Sequence, residues 1–169
     1  VSEKYGKDRR TEIIYDDIEE VEEVEEVPDY PVHLFFTRDG YFKKITPLSL
    51  RMGGEQKLKE GDELVSTVET TNKAELLFFT DKCQVYKSKA SEFEDSKASI
   101  LGDFVPSKLG FEADEKPLCM IVTTDYSGFM IFVFDNGRIA KVPLKSYETK
   151  TNRKKLIKAY SDKSPIVSM

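Results

Sequence analysis

From Tyr30 onward the chain alternates short apolar blocks of strand length with short polar breaks, and one such phrase is written three times. "FFTRDGYFKKI" (35–45), "FFTDKCQVYKS" (78–88) and "FVFDNGRIAKV" (132–142) each set an apolar run, a polar turn and a lysine-bearing second run in the same order. Asp39-Gly40 and Asn136-Gly137 lie between apolar runs, the strongest short-range signal for a β-hairpin. Aligning the phrases puts Gly40, Cys83 and Gly137 in register, at offsets of 43 and 54 residues. Cysteine suits a left-handed turn poorly, so the second turn is expected to differ in geometry from the other two.

Each hairpin is followed by a short polar piece with leucine or aromatic residues, "TPLSL", "SKASEF" and "PLKSY". A variable loop then leads to a further apolar strand, "DELVSTV", "KPLCMIV" or "KSPIVSM", with Leu64, Leu118 and Ile166 in register. Self-similarity of all-β units at a period of roughly 50 residues predicts a propeller-like array. "ELLFF" and "FMIFVF" lack strict alternation, which predicts strands covered on both faces. The third unit ends at Met169 inside its last strand, so the array is expected to continue.

The first 27 residues lack this pattern. In "DDIEEVEEVEEV" a helix would set Glu19 beside Glu23 and Glu22 beside Glu26, like charges one turn apart. With Pro28 closing the run, an extended acidic linker is the better expectation. The net charge of -5 hides an asymmetry: residues 1–30 hold 12 acids and 4 bases, and the remainder 19 acids and 22 bases. An acidic arm (1–29) thus precedes a mildly basic body (30–169).

Candidate chemistry is sparse in enzyme-like features. His33 is the single histidine, at a strand start, and no nucleophile–base pair can be built around it. Gly53-Gly54 lacks the spacing of a phosphate-binding fingerprint, and the arm's carboxylates form no metal motif. Cys83 and Cys119 lack metal spacing and are expected as reduced thiols in a cytoplasmic protein. The longest apolar runs, 118–122 and 129–134, are too short to span a bilayer, and without a basic-then-apolar opening export is not expected.

Basic residues, by contrast, recur after each hairpin: Lys43 and Lys44; Lys87 and Lys89; Arg138, Lys141 and Lys145. Loops add Arg51, Lys57 and Lys59, then Lys97 and Lys108, then Arg153, Lys154 and Lys155. A solvated surface is the ordinary account of any one of them. Recurrence at equivalent positions of a disc would instead string them along one rim, a track for sequence-independent phosphate contacts. The acidic arm could compete with DNA for such a track.

"FTRDGYFKKI", "LSLRMGGEQKLKEGDEL" and "FFTDKCQVYKSKASEF", in this order, resemble the C-terminal domain of the DNA gyrase A subunit, and likewise its counterpart in topoisomerase IV. The arm "KYGKDRRTEI" is similar to the segment leaving their breakage-reunion core. The resemblance implies an all-β fold, a β-pinwheel of four-stranded blades, of which about three are present as a partial disc. It implies double-stranded DNA as the partner, bent along a basic rim and guided into ATP-dependent supercoiling. The ATPase (B) subunit, with the rest of the A subunit in an A2B2 complex, would be the protein partner. Neither cofactor nor membrane is implied for this stretch, and the DNA-cutting tyrosine and the ATPase would lie elsewhere.

The family's gyrase-A box, Gln-Arg-Arg-Gly-Gly-Lys/Arg-Gly, falls on Leu50 to Gln56. Arg51, Gly53 and Gly54 match, whereas Met52 and Glu55 replace bases and Gln56 replaces glycine. This departure implies either a divergent gyrase or the topoisomerase IV type, which wraps DNA little. A propeller-like platform for binding proteins is the alternative from a different class, left open by the modest basicity of the body.

Overall fold

A computed structural model describes residues 26–149 and 153–169. Nearly all of the acidic arm lies outside the described residues. The rest is built from strands β1 (Pro31–Thr37), β2 (Tyr41–Ile45), β3 (Leu64–Thr71), β4 (Glu75–Thr80), β5 (Val85–Lys89), β6 (Asp103–Phe104), β7 (Pro117–Thr123), β8 (Phe129–Phe134), β9 (Ile139–Pro143), β10 (Lys155–Leu156) and β11 (Ile166–Ser168). Two short helices, α1 (Pro47–Met52) and α2 (Val105–Leu109), and 3-10 turns at Ala90–Glu92 and Leu144–Tyr147 fill the connections.

The repeated phrases are the hairpins β1–β2, β4–β5 and β8–β9. Leu34 pairs with Lys44, Leu77 with Lys87 and Ile131 with Lys141, so the hairpins share one register. The strand after each hairpin's loop folds back on the hairpin's first strand: β3 on β1, β7 on β4, β11 on β8. The outer edge of the second strand is covered from the following unit, β2 by β6 and β5 by β10. The result is three antiparallel sheets, β3-β1-β2-β6, β10-β5-β4-β7 and β11-β8-β9.

Two apolar layers hold the sheets together. Val32, Leu34, Phe36 and Phe42 of the first sheet meet Leu76, Phe78, Tyr86 and Met120 of the second. Leu77, Phe79 and Val85, from the second sheet, meet Met130, Phe132 and Phe134 of the third. Burying a side chain of this size contributes about 1.5–3 kcal/mol, and edge or tilted aromatic contacts add about 0.5–1.5 kcal/mol per pair. Phe78 touches three rings, Phe36, Phe42 and Phe93. The "ELLFF" strand is therefore buried on both faces, as its apolar run predicts. β8 differs: Met130, Phe132 and Phe134 are buried, but Phe129 and Ile131 are 55% and 51% exposed. Among the described residues no further sheet covers the Phe129–Ile131 face of β8, so its unbroken apolar run does not mean two covered faces.

The second turn also departs from expectation. Cys83 holds φ 57°, in the same left-handed region as Gly40 (96°) and Gly137 (77°). Such a conformation costs an L-residue about 1–2 kcal/mol. It persists because a distant segment clasps the turn: Ala159 N donates to the Cys83 carbonyl at 2.8 Å, and the Tyr160 hydroxyl donates to the Thr80 carbonyl at 2.5 Å. Burial pushes the Cys83 thiol up, and the more deeply placed Cys119 thiol is pushed up to about 12.

Candidate nucleic-acid interface

The lysines of the first hairpin do not lie on a solvated rim. Lys43 is 2% and Lys44 3% exposed, which corrects their assignment as DNA contacts. Lys43 Nζ donates to the Lys57 carbonyl, Gln56 Oε1 and the Ala98 carbonyl at 2.7, 3.1 and 3.2 Å. Lys44 Nζ donates to Asn72 Oδ1 at 2.8 Å and pairs with Asp95 at 3.2 Å, with the Tyr30 ring beside it. A buried ammonium must find partners to replace lost water, and these two have found theirs.

Lys87 is intermediate, with 11% of its side chain exposed. It donates to Thr149 Oγ1 at 3.0 Å, lies 4.0 Å from Glu75 and stands over the Tyr126 ring. Burial pulls its ammonium below the usual lysine range, partly offset by Glu75 and Glu148. Lys87 lines an open groove of about 360 Å³ together with Lys89, Arg153 and Lys154, and with the carboxylates Glu75 and Glu92. Lys154 pairs with Glu92 at 3.5 Å, which leaves Lys89 and Arg153 as exposed cations without an ion pair among the described residues. The second hairpin and the residues just before β10 supply these cations from separated parts of the chain. Sequence spacing did not indicate that convergence.

The Leu50–Gln56 box follows from α1. Thr46 caps the helix, its hydroxyl accepting from Ser49 N, and Pro47 occupies the first turn, where a missing N–H costs nothing. Gly53 N donates to the Ser49 carbonyl at 2.9 Å, so this amide closes the helix and is not offered to a phosphate. Arg51, Met52, Gly53, Gly54, Glu55, Lys57 and Lys59 are all exposed. Lys59 pairs with Asp39 at 3.1 Å, which raises its pKa. Glu55 sits in the same loop as Lys57, just past Arg51 in the last turn of α1, and offsets part of their charge.

In the third unit Arg138, Lys141 and Lys145 are exposed. Lys141 Nζ lies 3.9 Å from the centre of the Phe129 ring, and Arg138 shares a small groove with Lys163, which the repeat pattern did not single out. Lys97 and Lys108 are exposed as well, Lys108 paired with Asp103, while Lys155 is held by Glu112 and the Tyr86 ring. His33 pairs across the sheet with Glu69, Nδ1 to Oε1 at 3.5 Å. Among the described residues no cluster of His, Cys, Asp or Glu could hold a metal, and no helix is long and apolar enough to cross a membrane.

No family model matches the chain. The DNA gyrase A subunit of Streptomyces coelicolor is 33% identical over 157 residues, 87% of this chain and 18% of that protein. The DNA topoisomerase 4 A subunit of Staphylococcus aureus is 29% identical over 130 residues, 75% of this chain and 16% of that one. The chain thus spans about a fifth of the length of the curated relatives it matches. Among solved structures, the C-terminal domain of DNA topoisomerase IV superposes with a TM-score of 0.74 at 26% identity, covering 84% of this chain and 46% of that one. The DNA gyrase A C-terminal domain gives 0.50 at 15% identity, over 75% of this chain and 46% of that one, a likeness of fold. Over the residues it spans, the chain is homologous to the DNA gyrase A subunit, with the β-pinwheel fold of the gyrase and topoisomerase IV C-terminal domains.

Proposed function

We propose that this chain is a DNA-binding domain of a type IIA topoisomerase, holding duplex DNA through its phosphates whatever the base sequence. The convergence of Lys89, Arg153 and Lys154 from separated segments onto one groove carries this reading, together with the homology. Further contacts are Arg51 in the last turn of α1 with Lys57 and Lys59 on the α1–β3 loop, and Arg138, Lys141 and Lys145 in the third unit. Lys43, Lys44 and Lys87 support these contacts from inside. In the whole enzyme the domain bends DNA toward strand passage, within an A2B2 complex of the cytoplasm that includes the ATPase subunit. Glu55, in the place of a base, favours modest wrapping.

A second reading, a docking surface for protein, is favoured by one observation: Phe129, Ile131 and Ile139 are exposed together on the β8–β9 face. Titrating a labelled non-specific duplex of roughly 30 base pairs at several salt concentrations separates the two. Engagement of about six phosphates gives a slope of log K against log salt of about -5. A slope near zero, or no binding at low salt, would overturn the DNA reading and leave the protein-docking one.

A further inference from the structure

The Lys43 ammonium has three protons and three acceptors, so none remains for a phosphate. Two of those acceptors, Gln56 Oε1 and the Lys57 carbonyl, belong to the α1–β3 loop. The third, the Ala98 carbonyl, belongs to the segment after the second hairpin, and it also accepts from Lys57 N at 2.8 Å. One ammonium and one carbonyl thus pin two loops from different units to β2. Burial pulls the Lys43 ammonium below the usual lysine range.

The backbone is shaped around this contact. Gly102 holds φ +89°, and a Cβ there would lie 2.3 Å from the Phe42 carbonyl oxygen and 2.7 Å from Lys43 Cγ. Only glycine lets the 98–102 stretch cross so close to β2 and the lysine stem. Residues 53–63 contain neither helix nor strand. A loop of that kind loses conformational entropy when a ligand orders it, and that loss weakens binding unless the loop is already fixed.

We propose that Lys43 is a positioning residue for the α1–β3 loop: its ammonium fixes the backbone at Gln56 and Lys57 against β2, so that Lys57 and its neighbours Arg51 and Lys59 are presented to DNA as a fixed set. The claim about the loop stands on the geometry; the claim about DNA rests on the reading proposed above.

The test uses the whole chain and three variants. Lys43→Met keeps the stem and removes the ammonium, Gln56→Leu removes one acceptor, and Lys57→Met removes an exposed charge while keeping the carbonyl. Amide hydrogen exchange over residues 53–59, with β4 as the internal reference, is measured beside affinity for a non-specific duplex. Lys43→Met speeds exchange in 53–59 by about tenfold or more and leaves β4 unchanged, since a charged hydrogen bond of this kind holds the loop locally. Its duplex affinity falls by about threefold or more, because the loop must then be ordered on binding. Gln56→Leu acts in the same direction but less. Lys57→Met lowers affinity with exchange unchanged.

Unchanged loop exchange in Lys43→Met overturns the proposal, and so does lost affinity without faster exchange, which would mark Lys43 as a direct contact. If Lys43→Met does not fold, unchanged loop exchange in Gln56→Leu overturns it instead. Failure of the wild-type chain to bind any duplex would sink the DNA reading alone, since the exchange comparison still decides whether Lys43 fixes the loop.

Discussion

Lys44, Lys87 and Lys141 occupy the same place in three hairpins of shared register, opposite Leu34, Leu77 and Ile131. Lys44 is sealed in, Lys87 nearly so, and Lys141 is open to solvent. The difference comes from the segment downstream of each hairpin rather than from the hairpin itself. Asp95, which pairs with Lys44, and Thr149, which accepts from Lys87, both lie just past the next unit's 3-10 turn. Among the described residues no further unit covers Lys141, which rests on its own strand neighbour Phe129. Equivalent positions in a repeat therefore share backbone geometry but not environment. A lysine that recurs in sequence can be an internal strut in one unit and a surface cation in another.

Charge reversal at the two ends of this series should give opposite results. Lys44→Glu puts a carboxylate beside Asp95 and leaves the Asn72 carbonyl oxygen without its donor. It is expected to lower stability by about 3–5 kcal/mol, because the introduced carboxylate would be a buried charge without a partner, although Asp95 itself is half exposed. A denaturant midpoint unchanged from wild type would show that the site is wetter than its burial indicates.

The turns extend the comparison. Gly137 has the same left-handed backbone as Cys83, and although the neighbouring Asn136 donates to Ser164, a Cβ added at Gly137 would meet nothing within 4 Å. Gly137→Ala should thus cost about 1–2 kcal/mol from backbone conformation alone. Calorimetry reads this as a lower Tm, and a loss much greater than that would mean that packing, not conformation, governs the turn.

The smallest stability effect is expected at Lys141. Lys141→Glu should change stability by no more than about 0.5 kcal/mol, like other exposed substitutions. It should weaken duplex binding and flatten the salt dependence by about one unit of slope, the signature of one lost phosphate contact. Equal loss of stability in Lys44→Glu and Lys141→Glu would erase the distinction between the first and third hairpins.

The fold was largely legible in the sequence because hairpin turns and apolar runs are local signals. Asp39-Gly40 and Asn136-Gly137 mark their turns outright, and the apolar runs around Leu64, Leu118 and Ile166, one after each variable loop, mark the returning strands. β6 and β10 were not legible: two residues each, they pair with hairpins of the preceding unit and carry no periodicity of their own. The candidate site was less legible for the same reason. Nothing in "KK" says that Gln56, Lys57 and Ala98 will consume one ammonium, or that Asn72 and Asp95 will consume the next. Burial of a lysine is decided by distant acceptors. Cys83 shows the converse, a residue that disfavours its turn locally and is held there by Ala159 and Tyr160.

The borrowed edge strands have a consequence for how the chain folds. The β1–β2 hairpin closes locally, yet its sheet is finished only when Asp103 and Phe104 arrive, after the whole of the second hairpin. The β4–β5 hairpin likewise waits for Lys155 and Leu156. During synthesis each blade stays unfinished, with an open edge that invites mispairing, until its successor has emerged. The units thus fold as a chain of dependencies, each one locked by the next. A cut or deletion inside one unit would undo its neighbour upstream as well as itself.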